Sequence, residues 1–249
     1  MFTPQERETL RRELIDLARR DPRITGGAVT GSGSTGNLDR WSDIDLAFGV
    51  DAAGQVLATL ADFSEHMRRE RGAIDQVDVV RDPWIYRVFL LPNTLQVDLA
   101  FAPATHFGAR APSFRLVFGT AAEQSHVPPP AVRELIGYGW LYALHVRSSI
   151  ARAKLWQAEY MVSAMRDQVL SLACVRYGLP AREGRGIDEL PAHVTKPLED
   201  GLVAQLERSH LLRAFAATTQ GLLHEVREVD VDLAAHLGPV LEKMIESVR

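Results

Sequence analysis

The stretch Ser42 to Phe48, Ser-Asp-Ile-Asp-Leu-Ala-Phe, restricts this chain more than any other. Read with a period of two, it sends Ile44, Leu46 and Phe48 to one side of a strand and Asp43 and Asp45 to the other. One face is core and the other is acid. Two carboxylates two residues apart on one face repel each other, so the pattern implies a cation between them. Hard carboxylate oxygens point to a divalent ion such as Mg²⁺.

Just upstream, Gly31 to Gly36 reads Gly-Ser-Gly-Ser-Thr-Gly and follows Ile24 to Thr30, an apolar-to-small run expected to be a strand. A loop of this composition turns several backbone N–H groups toward one anion. An anion cradle followed by a metal-binding Asp pair describes a nucleoside triphosphate with Mg²⁺. A third carboxylate is expected from a neighbouring strand. Leu95 to Phe101 supplies one: Leu95, Val97, Leu99 and Phe101 make a core face, and Asp98 shares the other with Gln96 and Ala100. Asp78, within Gln76-Val77-Asp78-Val79-Val80, is a rival for the same role.

The 249 residues, 46% hydrophobic and 24% charged, have globular composition and length for two modest domains. No apolar run reaches the roughly 20 residues of a membrane span, and Met1 to Arg20 is charged and amphipathic without a signal-peptide core, so a cytoplasmic protein is expected. One cysteine, Cys174, excludes an internal disulfide and a cysteine-based zinc site. The net charge of −4 exerts no global pull toward nucleic acid.

In chain order, Thr3-Pro4-Gln5-Glu6 opens a helix to about Arg20 with a capping box. A further helix is expected over Ala52 to Arg71, then strands over Ile74 to Val80, Trp84 to Leu91 and Leu95 to Phe101, the last two joined through Pro92-Asn93. Between Pro103 and Pro130 the pattern is weak. Pro128-Pro129-Pro130 marks a stiff connector. Beyond it, helices are expected over Ala131 to Ala153, Leu155 to Tyr177, Pro197 to Arg208, Leu211 to Arg227 and Val231 to Val248, a bundle of four or five. The class is therefore α+β: a mixed sheet with flanking helices over residues 1–127 and a C-terminal helical bundle over residues 131–249.

On the second helix of that bundle, Glu159 and Arg166 share a stripe with Leu155, Val162, Val169 and Ala173. Two readings stand side by side. One is a structural tie between helices; the other makes Glu159 an acceptor-binding carboxylate or general base and Arg166 a phosphate contact. Trp156, Tyr160, Ser163 and Asp167 form the adjoining stripe, with the polarity to line a pocket or to pack between helices.

Gly31-Ser32, then Ser42-Asp43-Ile44-Asp45-Leu46, then a separate apolar-Asp-apolar strand at Asp98 resembles the nucleotidyltransferase fold of the DNA polymerase beta superfamily. The resemblance implies that Gly31 and Ser32 bind the triphosphate, with Ser42 beside them, and that Asp43, Asp45 and Asp98 hold the metals. It favours Asp98 over Asp78, because the third acid of that fold follows a hairpin. A minimal nucleotidyltransferase domain followed by a helical bundle is similar to the antibiotic nucleotidyltransferases that act on aminoglycosides or lincosamides. That implies an ATP- and Mg²⁺-dependent adenylyltransferase that confers antibiotic resistance by moving AMP to a hydroxyl of a small, cationic acceptor, with Glu159 as base. The competing expectation is a regulatory or toxin–antitoxin protein of the same fold whose target is another protein, with RNA a more distant third. The subunit number stays open.

Overall fold

The computed structural model describes residues 1–249. Helix α1 (Pro4–Arg20) starts on the expected capping box: the Glu6 N–H donates to Thr3 Oγ1 at 3.2 Å, and the Thr3 N–H donates to Glu6 Oε2 at 2.7 Å. Then follow β1 (Ile24–Thr30), a short helix α2 (Gly31–Thr35), β2 (Ile44–Val50), α3 (Val56–Arg71), β3 (Asp75–Arg81), β4 (Trp84–Leu90), β5 (Gln96–Pro103) and β6 (Phe114–Gly119). The strands form one mixed sheet in the order β3-β4-β5-β2-β1-β6. Its single parallel pair is β2 with β5.

The period-two alternation decides what each side of the sheet carries. Ile44, Leu46, Phe48, Val97, Leu99 and Phe101 are buried on one side against Leu10, Leu14 and Ala18 of α1 and Leu60, Phe63 and Met67 of α3. Phe48, Phe63 and Phe101 meet there with ring centroids 5.2 to 5.6 Å apart. The other side carries Ala47, Ala100 and Ala102 with Trp84 and Phe107 in a smaller cluster. Asp45 and Asp98 share parity with these alanines and so stand on that second side.

Two expectations for this region change. The glycine-rich segment is helical: the Ser34 and Thr35 hydroxyls donate back to the Gly31 and Ser32 carbonyls at 2.8 and 3.2 Å, and Gly36 ends the turn at φ 78°. The weakly patterned region contains β6, an edge strand whose exposed residues leave little core signal; it pairs antiparallel with β1 across an irregularity at Gly27 and Ala28.

The chain divides into two compact units, Met1–Val127 and Pro128–Arg249. The second contains α4 (Val132–Ala151), α5 (Leu155–Arg176), α6 (Ala192–Glu199), α7 (Arg208–Val229) and α8 (Val231–Glu246). Its core joins Val146, Val162, Val169, Phe215, Leu222 and Leu241, with Cys174 buried among them. Arg176 ties α5 to α7 through a two-pronged pair with the buried Glu225, at 2.9 and 2.7 Å. The helix expected over Pro197 to Arg208 is absent. α6 runs from Ala192 to Glu199 with Pro197 inside it, anchored by buried Val194 and Leu198 on either side of the proline. No helix of either unit is long and apolar enough to cross a membrane.

Candidate metal and nucleotide site

Asp45 and Asp98 are brought together by strand register. The parallel ladder pairs Asp45 directly with Asp98, flanked by the core pairs Ile44 with Val97 and Leu46 with Leu99. Neighbours in a ladder project to the same side, so the two carboxylates stand abreast. Asp43 precedes the first ladder pair of β2 and reaches the same place from the loop. Oxygens of Asp43, Asp45 and Asp98 all lie within 4.8 Å of one another, and all three residues are half-buried.

Asp78 is elsewhere. It pairs across β3 and β4 with Arg87, which in turn aligns with the core residue Leu99, so Asp78 faces the helix side of the sheet. Arg87 Nε and Nη2 each donate to Asp78 at 2.6 Å, and Nη1 donates to Ser64 on α3 at 2.7 Å. These hydrogen bonds hold the Asp78 carboxyl below the usual carboxylate range. The β3 residue in line with Asp98 is Val77, through Val88, so β3 adds no acid to the cluster.

The residues present fit a divalent metal. All three donors are hard carboxylate oxygens, the set that suits Mg²⁺ or Mn²⁺. Space beside them is kept by Gly31: a Cβ there would lie 2.0 Å from Asp45 Oδ2, and its φ of 54° is a conformation that suits glycine. Ser32 follows on α2, half-buried.

Three further residues build the site, and sequence reading does not single them out for it. The Gln96 amide nitrogen lies 3.0 Å from Asp98 Oδ1 and 3.4 Å from Asp43 Oδ2, bridging two of the acids. Its place two residues before Asp98, on the same strand face, is the one sequence signal. Asp39 organises the approach to Asp43: its Oδ1 accepts from the Trp41 N–H at 2.8 Å and from the Ser42 hydroxyl at 2.9 Å. The Trp41 N–H, then the Ser42 hydroxyl and the Arg7 guanidinium, lower the Asp39 carboxyl below its ordinary range. Ser42 Oγ also accepts from the Asp39 N–H at 2.9 Å, so this hydroxyl is committed to the loop. Arg7, on α1, donates into the same loop. Beside it Trp41 is exposed, with the Arg40 guanidinium 4.3 Å over its ring.

Glu159 and Arg166 lie on α5 in the helical unit. They are linked through Ser163, which donates to Glu159 Oε1 at 2.8 Å and accepts from Arg166 Nη2 at 3.2 Å; Arg166 Nη1 donates to the Gly201 carbonyl at 3.0 Å. Arg166 thus ties α5 to the turn after α6. Of the adjoining stripe, Trp156 and Tyr160 are exposed at 78% and 67%.

No protein-family model matches the chain, and no curated protein does. The solved structures that resemble it include two distant ones. One is an aminoglycoside 6-adenyltransferase from Bacillus subtilis, 14% identical with a TM-score of 0.40, over 98% of this chain and 99% of that one. The other is the polymerase core of TRAMP, an RNA surveillance complex, 16% identical with a TM-score of 0.33, over 85% of this chain and 56% of that one. Likenesses this distant assign neither substrate nor reaction.

Proposed function

We propose that this protein is a nucleotidyltransferase that moves AMP from ATP to a hydroxyl of a small, cationic acceptor of the aminoglycoside or lincosamide kind. The observation that carries the reading is the cluster of Asp43, Asp45 and Asp98, with oxygens within 4.8 Å and a glycine held against one of them. Three carboxylates gathered this closely repel one another unless a cation is shared, and their hard oxygens suit Mg²⁺.

In the proposed reaction the acceptor hydroxyl oxygen forms a bond to the α-phosphorus, the bond from that phosphorus to the β-phosphate oxygen breaks, and pyrophosphate leaves. The hydroxyl proton passes to a base. Bound Mg²⁺ supplies charge neutralisation at the phosphate oxygens and at the attacking and leaving oxygens. Asp43, Asp45 and Asp98 would hold it, with Gln96 orienting two of them. Gly31 and Ser32 are assigned to the triphosphate. Glu159 is the proposed base, its carboxylate oriented by the Ser163 hydroxyl. The cationic acceptor class is supported by the chemistry of α5, where exposed Trp156 and Tyr160 rings sit on the stripe that also bears Asp167.

The test is pyrophosphate release and thermal shift with Mg²⁺ and ATP, with and without a panel of aminoglycosides and lincosamides. Stabilisation by Mg-ATP with release only in the presence of one drug supports the whole reading. Binding of Mg-ATP without drug-dependent release removes the acceptor class and turns the search to a protein or RNA acceptor. A protein that binds no Mg-ATP overturns the reading.

A further inference from the structure

Asp43 differs from its two partners in how it is held. Asp45 and Asp98 are gripped by the β2–β5 ladder, whereas Asp43 lies outside it and takes its place from the loop that ends at Ser42. That loop is anchored by a charged side chain from far away in sequence. Arg7, in the second turn of α1 and only 6% exposed, donates through Nη1 to the Asp39 carbonyl at 2.5 Å and to the Ser42 carbonyl at 2.9 Å. One guanidinium nitrogen therefore grips two residues of the loop, Asp39 and Ser42, the second being the neighbour of Asp43. On the loop's own side, Asp39 and Ser42 close the turn with paired bonds of 2.9 Å.

Burying a guanidinium is expensive unless its donors are satisfied, and a buried arginine aimed at backbone carbonyls fixes geometry that the backbone alone does not. We propose that Arg7 is a positioning residue for the metal site: by clamping residues 39–42 to α1, it holds Asp43 where its carboxylate joins those of Asp45 and Asp98. The inference rests on the reading of that cluster as a divalent-metal site. Arg7 touches neither metal nor substrate. Its effect is transmitted through the Ser42 carbonyl and the following peptide.

The experiment uses the full chain and Mn²⁺ alone as probe, with free Mn²⁺ read by electron paramagnetic resonance. Melting in EDTA is measured alongside. Arg7→Met is expected to weaken Mn²⁺ binding by about tenfold or more, the range seen when groups that orient metal ligands are lost, with Arg7→Lys falling between it and the wild type. In the transfer assay, Arg7→Met is expected to raise the Mg²⁺ concentration for half-maximal rate while leaving kcat at saturating Mg²⁺ within about threefold, because a clamp shifts site occupancy rather than the chemical step. A purely structural role would lower the melting temperature and leave the Mn²⁺ affinity of the folded protein unchanged. Should Arg7→Met fail to fold, Asp39→Ala and Ser42→Ala loosen the same loop from its solvent side and are expected to weaken Mn²⁺ binding in the same direction. Folded variants that bind Mn²⁺ as the wild type does overturn the inference and leave the metal reading standing. A wild-type protein that binds no Mn²⁺ overturns both.

Discussion

Replacing Asp43 by Asn should stabilise the metal-free protein and destabilise the metal-loaded one relative to wild type. Oxygens of Asp43 lie within 4.8 Å of oxygens of Asp45 and Asp98. At that separation two unit charges repel by about 0.9 kcal/mol in a water-like dielectric, so removing the Asp43 charge relieves about 2 kcal/mol over its two pairs. The asparagine keeps a carbonyl oxygen to accept from Gln96, which limits the change to charge. In EDTA at low ionic strength the expected gain is about 4–8 °C in melting temperature. Physiological salt, with a screening length of about 8 Å, should cut it to roughly half. Mn²⁺ should reverse the order. At about a hundred times its dissociation constant it adds about 2.7 kcal/mol to the wild type, and the variant, short of one ligand charge, should gain far less. Chemical denaturation in EDTA and then in rising Mn²⁺ reads both arms. A variant no more stable than wild type in EDTA refutes the repulsion argument, and an undiminished response to Mn²⁺ refutes the metal assignment.

Gly31→Ala should cost about 1–2 kcal/mol for a side chain in the left-handed region and, by crowding Asp45 Oδ2, weaken Mn²⁺ binding; unchanged Mn²⁺ affinity by titration would remove Gly31 from the site. Asp78→Asn should leave transfer and the Mn²⁺ response intact while lowering stability at neutral pH. The sign follows from the depressed Asp78 pKa: the Arg87 pair contributes above the ordinary carboxylate pKa of about 3.9, and its contribution is lost as pH falls through the lower folded value. The stability difference between wild type and variant should therefore hold from neutral pH to about 4 and shrink below it, as read by denaturation across that range; loss of turnover in Asp78→Asn would return this residue to the candidate acids.

What could be read from the sequence follows the range of the forces involved. The capping box of α1 and the alternating strands are local, and each appears with boundaries close to those expected. Parity alone separates acid from core within each strand. It does not reveal that Asp78 and Asp98 face opposite sides of the sheet, because that depends on the pairing of β3, β4 and β5. The short helix α2 is hidden by Gly31 and Gly33, whose helix propensity is poor. Pro197 reads as a helix start and is found inside α6, where burial of Val194 and Leu198 outweighs the missing backbone bond. Arg7 carries no local signal at all: its acceptors are 32 and 35 residues away.

The three carboxylates are kept close because the core face of the same strands outweighs their mutual repulsion. To part Asp45 from Asp98 along the ladder, β2 must slip by a residue against β5, and a one-residue slip turns Ile44, Leu46 and Phe48 out of the core. All three are at most 1% exposed. At about 1.5–3 kcal/mol for each buried side chain, that loss is several times the roughly 0.9 kcal/mol of repulsion between one such pair of charges. Asp43 lies one residue before the paired register. The site is therefore two carboxylates fixed by hydrophobic register and a third fixed by a loop, which makes the loop and its Arg7 clamp the place where metal affinity can change without unmaking the sheet.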